Sequence, residues 1–188
     1  MNPSPSIRPI AVKWGTILGV LSILNVIYTY FVVGVPQVGE FNIAGTVIGV
    51  LVFALAIVCY VMAVKDFRKI NDGGSSFGEG FKVIMLTIIV GSIISLIFSY
   101  LMDAVIMPDY NEEMYAMTMG TMESSPGMTD SMLEIMDNMY SFIFSATGKL
   151  IVGAFGTLIG GAVFASIVAL IMQRDPDLTP SVDEIGTV

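Results

Sequence analysis

The chain has 188 residues, of which 55% are hydrophobic and only 13% charged. Soluble domains carry about 45–50% apolar residues even with glycine counted, and about 25% charged ones. The absence of histidine, the single cysteine (Cys59) and the formal net charge of −8 exclude a disulfide scaffold, a zinc finger, a histidine base and a binder of nucleic-acid phosphates. An all-α, polytopic integral membrane protein is what remains, with the lipid bilayer as its first partner.

A bilayer core about 30 Å thick takes roughly 20 apolar residues in a helix, and charge near its centre is costly. Four stretches lack Asp, Glu, Lys and Arg: 26 residues from Trp14 to Gly39, 24 from Phe41 to Val64, 20 from Val83 to Met102, and 24 from Leu150 to Gln173. They predict four transmembrane helices over about 14–35, 42–64, 81–102 and 149–173. Their continuous apolarity is unlike the alternation of a membrane barrel strand. The first run is too long for a signal-peptide core and leads into Val35-Pro36-Gln37, so it is expected to remain as an anchor. Pro36 and Gly39 predict a tight turn to the second run. A cytoplasmic loop is expected to begin at Lys65, and Ser76 with Glu79 predicts a capping box that starts the third helix near Phe77.

Arg8, Lys13, Lys65, Arg68, Lys69, Lys82 and Arg174 fall on one side of this arrangement and Lys149 alone on the other. The bias of Lys and Arg towards the cytoplasm therefore predicts both termini inside. The intervening 103–148 segment is read as an extracytoplasmic helical insertion. It carries eight acids (Asp103, Asp109, Glu112, Glu113, Glu123, Asp130, Glu134 and Asp137) and nine of the fourteen methionines. Ser124-Ser125-Pro126-Gly127 divides it. Met132, Ile135, Met136, Met139, Tyr140 and Ile143 then recur at helical spacing, opposite Asp130, Glu134 and Asp137. This predicts an amphipathic helix capped by Ser131 and Glu134, lying on the membrane or folded over the bundle. Asp103 is placed at the outer end of the third run, where water is expected to reach it.

Small residues recur four apart: Gly15 and Gly19 in the first run, Gly45 and Gly49 in the second, Gly91 and Ser95 in the third, Gly156 and Gly160 in the fourth. Such positions let membrane helices approach closely and are assigned here to helix packing. Asn25 is the most polar side chain deep in a run, and it is expected to hydrogen-bond across to Ser92 or Ser95. No ionisable group lies inside the runs, which weighs against a transporter, and no catalytic constellation is evident. Soft sulfurs at Met117, Met119, Met136 and Met139 have spacings compatible with Cu(I), but histidine and an outward cysteine are missing as co-ligands. The expectation is that the chain has no cofactor and no metal.

The run Lys65-Asp66-Phe67-Arg68-Lys69, the stretch Gly73-Gly74-Ser75-Ser76-Phe77-Gly78-Glu79-Gly80-Phe81-Lys82 and Pro108-Asp109-Tyr110 resemble the bacterial membrane proteins of domain of unknown function 4199. The resemblance covers about Trp14 to Arg174, and the methionine-dense outer segment departs from it. It implies a small bacterial inner-membrane protein and brings no activity or catalytic residue. The expected function is thus a non-enzymatic accessory or interaction protein that meets a membrane-protein partner or a second copy, and no nucleic acid. A small transporter or channel lined by Asn25, Thr87, Ser92, Ser95 and Ser99 is the alternative, followed by Cu(I) handling.

Overall fold

Continuous apolar runs in lipid can satisfy their backbone amides only within a helix. The computed structural model describes residues 6–35 and 42–174, and the turn expected at Pro36 and Gly39 lies outside the described residues. The described residues form α1 (Arg8–Tyr28), α2 (Ile43–Ile70), α3 (Phe77–Leu101), α4 (Pro108–Glu123), α5 (Asp130–Phe144) and α6 (Ala146–Met172). Four segments are long and apolar enough to cross a membrane: Arg8–Val33, Ile43–Ile70, Phe77–Ile106 and Ala146–Met172. The chain is accordingly an all-helical membrane protein.

Helix ends follow local chemistry. The Ser76 hydroxyl accepts from the Glu79 amide while the Glu79 carboxylate accepts from the Ser76 amide, so the expected capping box starts α3. The residues Lys65–Lys69, expected to open a loop, instead complete α2. Arg68 and Lys69 then sit beside the C-terminal carbonyls, where positive charge is favoured. α5 is capped by Thr129, which accepts from the Met132 amide, and not by Ser131. The chain turns at Gly127 with φ +89°, early enough for the helix to begin at Asp130 and leave threonine at the cap. Ser145 alone joins α5 to α6 and caps the latter by accepting from the Gly148 amide at 3.0 Å. A side chain at position 148 would collide with the Phe142 carbonyl oxygen.

α3 lies at the centre, packed against α1, α2 and α6. The half of the bundle nearest the basic residues is tight. There Val64, Ile84, Ile88, Ala165, Val168 and Ala169 form one core, and Ala63, Phe67 and Val83 form another against Ile7, Ile10 and Trp14. Thr87, fully buried, donates to the Val83 carbonyl of its own helix and so leaves no hydroxyl unsatisfied. At this basic end Asp66 accepts from Lys13 at 2.9 Å, Lys69 at 2.8 Å and the Trp14 indole at 3.0 Å, tying α1 to α2. Ser75 and Arg174 exchange backbone hydrogen bonds of 2.8 and 2.9 Å, which brings the α2–α3 connection against the chain leaving α6. The other half is looser: Ile43, Val47, Val50, Leu51 and Phe53 of α2 are all exposed.

Candidate functional site

At the acidic end, α1 and α3 both widen into a π-helical turn, Thr29–Val33 and Met102–Ile106. Each closes with an i→i+5 bond: the Gly34 amide donates to the Thr29 carbonyl at 3.0 Å, and the Met107 amide to the Met102 carbonyl at 2.8 Å. Such turns are rare and occur frequently at functional sites, because they re-aim the side chains they carry. Here they carry Tyr30 and Asp103. The first turn of α6 supplies Lys149, and α4 supplies Tyr110 and Asn111.

These five residues converge. Lys149 Nζ donates to Asp103 Oδ1 at 3.1 Å and to Asn111 Oδ1. The Tyr30 hydroxyl donates to the same Asp103 Oδ1. The ammonium lies 5.9 Å from the Tyr30 ring centre and 5.6 Å from that of Tyr110, within reach of both π faces. The two rings stand 4.4 Å apart, and the Tyr110 hydroxyl donates to the Gly34 carbonyl at 3.3 Å. Burial, with the Asp103 charge second, raises the Tyr110 phenol above the usual tyrosine range. The Asp103 side chain is 3% exposed and that of Lys149 29%. A charge so enclosed costs several kcal/mol to desolvate, and only a close partner with further hydrogen bonds offsets that.

Two cavities meet at this pair. One, about 330 Å³, lies towards α4 and α5 and is lined by Asn111, Glu112, Tyr115, Ser141 and Ser145. The other, about 220 Å³, lies between α1, α3 and α6 and is lined by Tyr30, Ser99, Lys149 and Gly153. Asp103 borders both. The Tyr115 hydroxyl donates to Asp137, and with Phe144 against the Tyr115 ring it joins α4 to α5 across the first cavity's rim.

The expectation that water reaches Asp103 is corrected by this arrangement, which leaves its side chain 3% exposed. The charge-free run ended before it, but the helix does not, and α4 covers the end of the span. No local spacing signals the pair, since Lys149 is 46 positions away. The available hints were a lone base on the acidic side and an acid beside an apolar run.

The glycines separate into two groups. A methyl group at Gly15 would stand 2.6 Å from Val90 Cβ, and one at Gly19 2.9 Å from Ile94 Cβ, while Gly91 faces Leu18 at 3.0 Å. These three form the close α1–α3 crossing. Gly45 meets Asn42, its own helix cap, at 3.3 Å and Val33 at 3.5 Å. Gly49, Gly156 and Gly160 have nothing within 4 Å of such a methyl group. On α6 the glycines that face α3 are Gly153, near Leu96 at 3.1 Å, and Gly161, near Ile88 at 3.0 Å.

Ser95 is half-buried on α3. Asn25 is half-buried too, and among the described residues its side chain makes no hydrogen bond; Ser92 donates to the Ile89 carbonyl of its own helix instead. Of the residues expected to line a pore, Thr87 lies in the closed core and Ser99 borders the smaller cavity. Met119 is nearly buried on α4, whereas Met139 on α5 is 43% exposed, so these methionines occupy different surroundings. Among the described residues no three His, Cys, Asp or Glu side chains gather as a metal site.

A family model described as a protein of unknown function (DUF4199) matches residues 13–174. No curated protein and no solved structure matches the chain.

Proposed function

Because the chain belongs to the DUF4199 family of proteins of unknown function, we propose a function from its own surfaces: a non-enzymatic accessory protein that docks helix to helix with a membrane partner or a second copy. The observation that carries this reading is the group of small residues left uncovered, Gly49 on α2 and Gly156 and Gly160 on α6. Glycines four apart let another backbone come close, which is how helices associate where lipid is as apolar as they are. Exposed positions on the same half of α2, Val47, Val50 and Leu51 beside Gly49, leave room for such a helix. Seven of the eight basic residues lie at one end, which supports an orientation with both termini cytoplasmic. The absence of histidine leaves no imidazole base, which favours a role without histidine-dependent catalysis.

Crosslinking in native membranes, followed by mild-detergent purification, tests the proposal. A stoichiometric partner or dimer is expected, and the double variant Gly156→Leu, Gly160→Leu should lose it. Recovery of a lone monomer from both proteins would overturn the reading. One observation favours a second reading, a small transporter or channel: the Asp103–Lys149 pair stands between two cavities within helices long enough to span a membrane. Solute flux in proteoliposomes that disappears in Lys149→Met would support it.

A further inference from the structure

α5 has three faces, and only two are accounted for. Tyr140 and Phe144 stack on each other, and Phe144 meets Tyr115 of α4. Asp130, Glu134, Asp137 and Ser141 form an exposed polar face. The third face consists of Met132, Ile135, Met139 and Phe142, spaced i, i+3, i+7 and i+10 along one side of the helix. These four are 51%, 66%, 43% and 50% exposed, and no residue of α5 is fully buried.

Continuity and charge identify what covers this stripe. A single residue, Ser145, separates α5 from a membrane span, and exposed apolar surface resumes on that span at Ile151, Val152 and Phe155. The Phe142 end of the stripe is therefore held near the level where the lipid-facing surface of the bundle ends. Every acid of α5 lies away from it, and between Lys82 and Lys149 the chain has no basic residue with which to bind an anionic surface. We infer that α5 is an interfacial helix, lying in the plane of the leaflet at the acidic end of the bundle. Met132, Ile135, Met139 and Phe142 enter the upper acyl chains, and Glu134 and Asp137 face water. Its lipid partner is a zwitterionic bilayer surface, recognised by apolar area and not by charge. This inference does not depend on the docking function proposed above.

Nitroxide scanning of the full-length protein, in a Cys59→Ala background and in phosphatidylcholine vesicles, tests it. Single cysteines replace each residue from Met132 to Ser141 in turn, and collisions with oxygen are compared with those of a water-soluble nickel complex. Labels at positions 132, 135 and 139 should favour oxygen and those at 134, 137 and 141 the nickel complex, an inversion that repeats with helical period. Preference for nickel at 135 and 139 would overturn the inference by placing the stripe in water. Exclusion of both reagents there would overturn it in favour of a protein partner. Circular dichroism identifies labelled chains that have not folded. Adding phosphatidylglycerol should leave the pattern unchanged, whereas a pattern that requires the anionic lipid would refute the zwitterionic surface.

Discussion

Replacing Lys149 with methionine preserves most of the side chain's length but leaves Asp103 charged, 3% exposed and paired only with Tyr30. Breaking a buried ion pair from one side costs about 3–5 kcal/mol, because the remaining charge is uncompensated. Tyr30 places the expected loss near the lower end, about 3 kcal/mol. Asp103→Asn is milder, since Lys149 is 29% exposed and keeps Asn111 and two aromatic faces. Its cost should be about 1–2 kcal/mol, that of an imperfectly replaced hydrogen bond. The double variant removes both charges and should cost less than the sum, with a coupling of about 1–3 kcal/mol. Reversible unfolding in mixed micelles by titration with sodium dodecyl sulfate, followed by circular dichroism, measures all three. Equal single costs that simply add would refute the account of an enclosed carboxylate depending on a partly wetted lysine.

Other consequences are independent of that pair. Gly15→Ala puts a methyl group 2.6 Å from Val90 Cβ and 2.8 Å from the Thr87 carbonyl oxygen, so it should destabilise the bundle by about 1–3 kcal/mol in the same titration. Gly156→Ala, with open space around it, should cost nothing and should stabilise the bundle by up to about 1 kcal/mol, since glycine is the poorer helix former. Ser76→Ala removes the capping box and should cost about 1 kcal/mol, visible as faster amide exchange in the first turn of α3. The Tyr115 hydroxyl donates to Asp137, which raises its phenol above the ordinary value of 10.0. The contribution of this contact is therefore complete below pH 10.0 and is lost as pH rises through the raised value. Ultraviolet titration should show a late-ionising tyrosine that Tyr115→Phe removes; an unchanged curve would refute it.

What the sequence made legible was local. Charge-free runs mark the spans because charge in a bilayer is costly wherever the helix packs, and Ser76-x-x-Glu79 marks a helix start because its two hydrogen bonds close within one turn. The amphipathic period of α5 was readable for the same reason. Face selection was not. Gly156/Gly160 and Gly153/Gly161 are both small-residue pairs on α6, and only the position of Ile88 and Leu96 on α3 decides which pair is used inside the bundle. The π-helical turns that aim Tyr30 and Asp103 depend on how α1 and α3 end beneath α4, which no short pattern encodes. Asp103 and Lys149 were both conspicuous as isolated charges, but their meeting is a product of topology.

The corner at Gly148 has a consequence for how this protein can vary. Most positions of a lipid-facing surface tolerate exchange among apolar residues, since one hydrocarbon contact resembles another. Position 148 has no such latitude, because even one carbon would run into the Phe142 backbone and force α5 to swing away from α6. The contacts that Asp137 and Phe144 of α5 make with Tyr115 of α4 would be pulled with it. The direction of a fifteen-residue helix and its fastening to α4 are thus both set by a missing side chain.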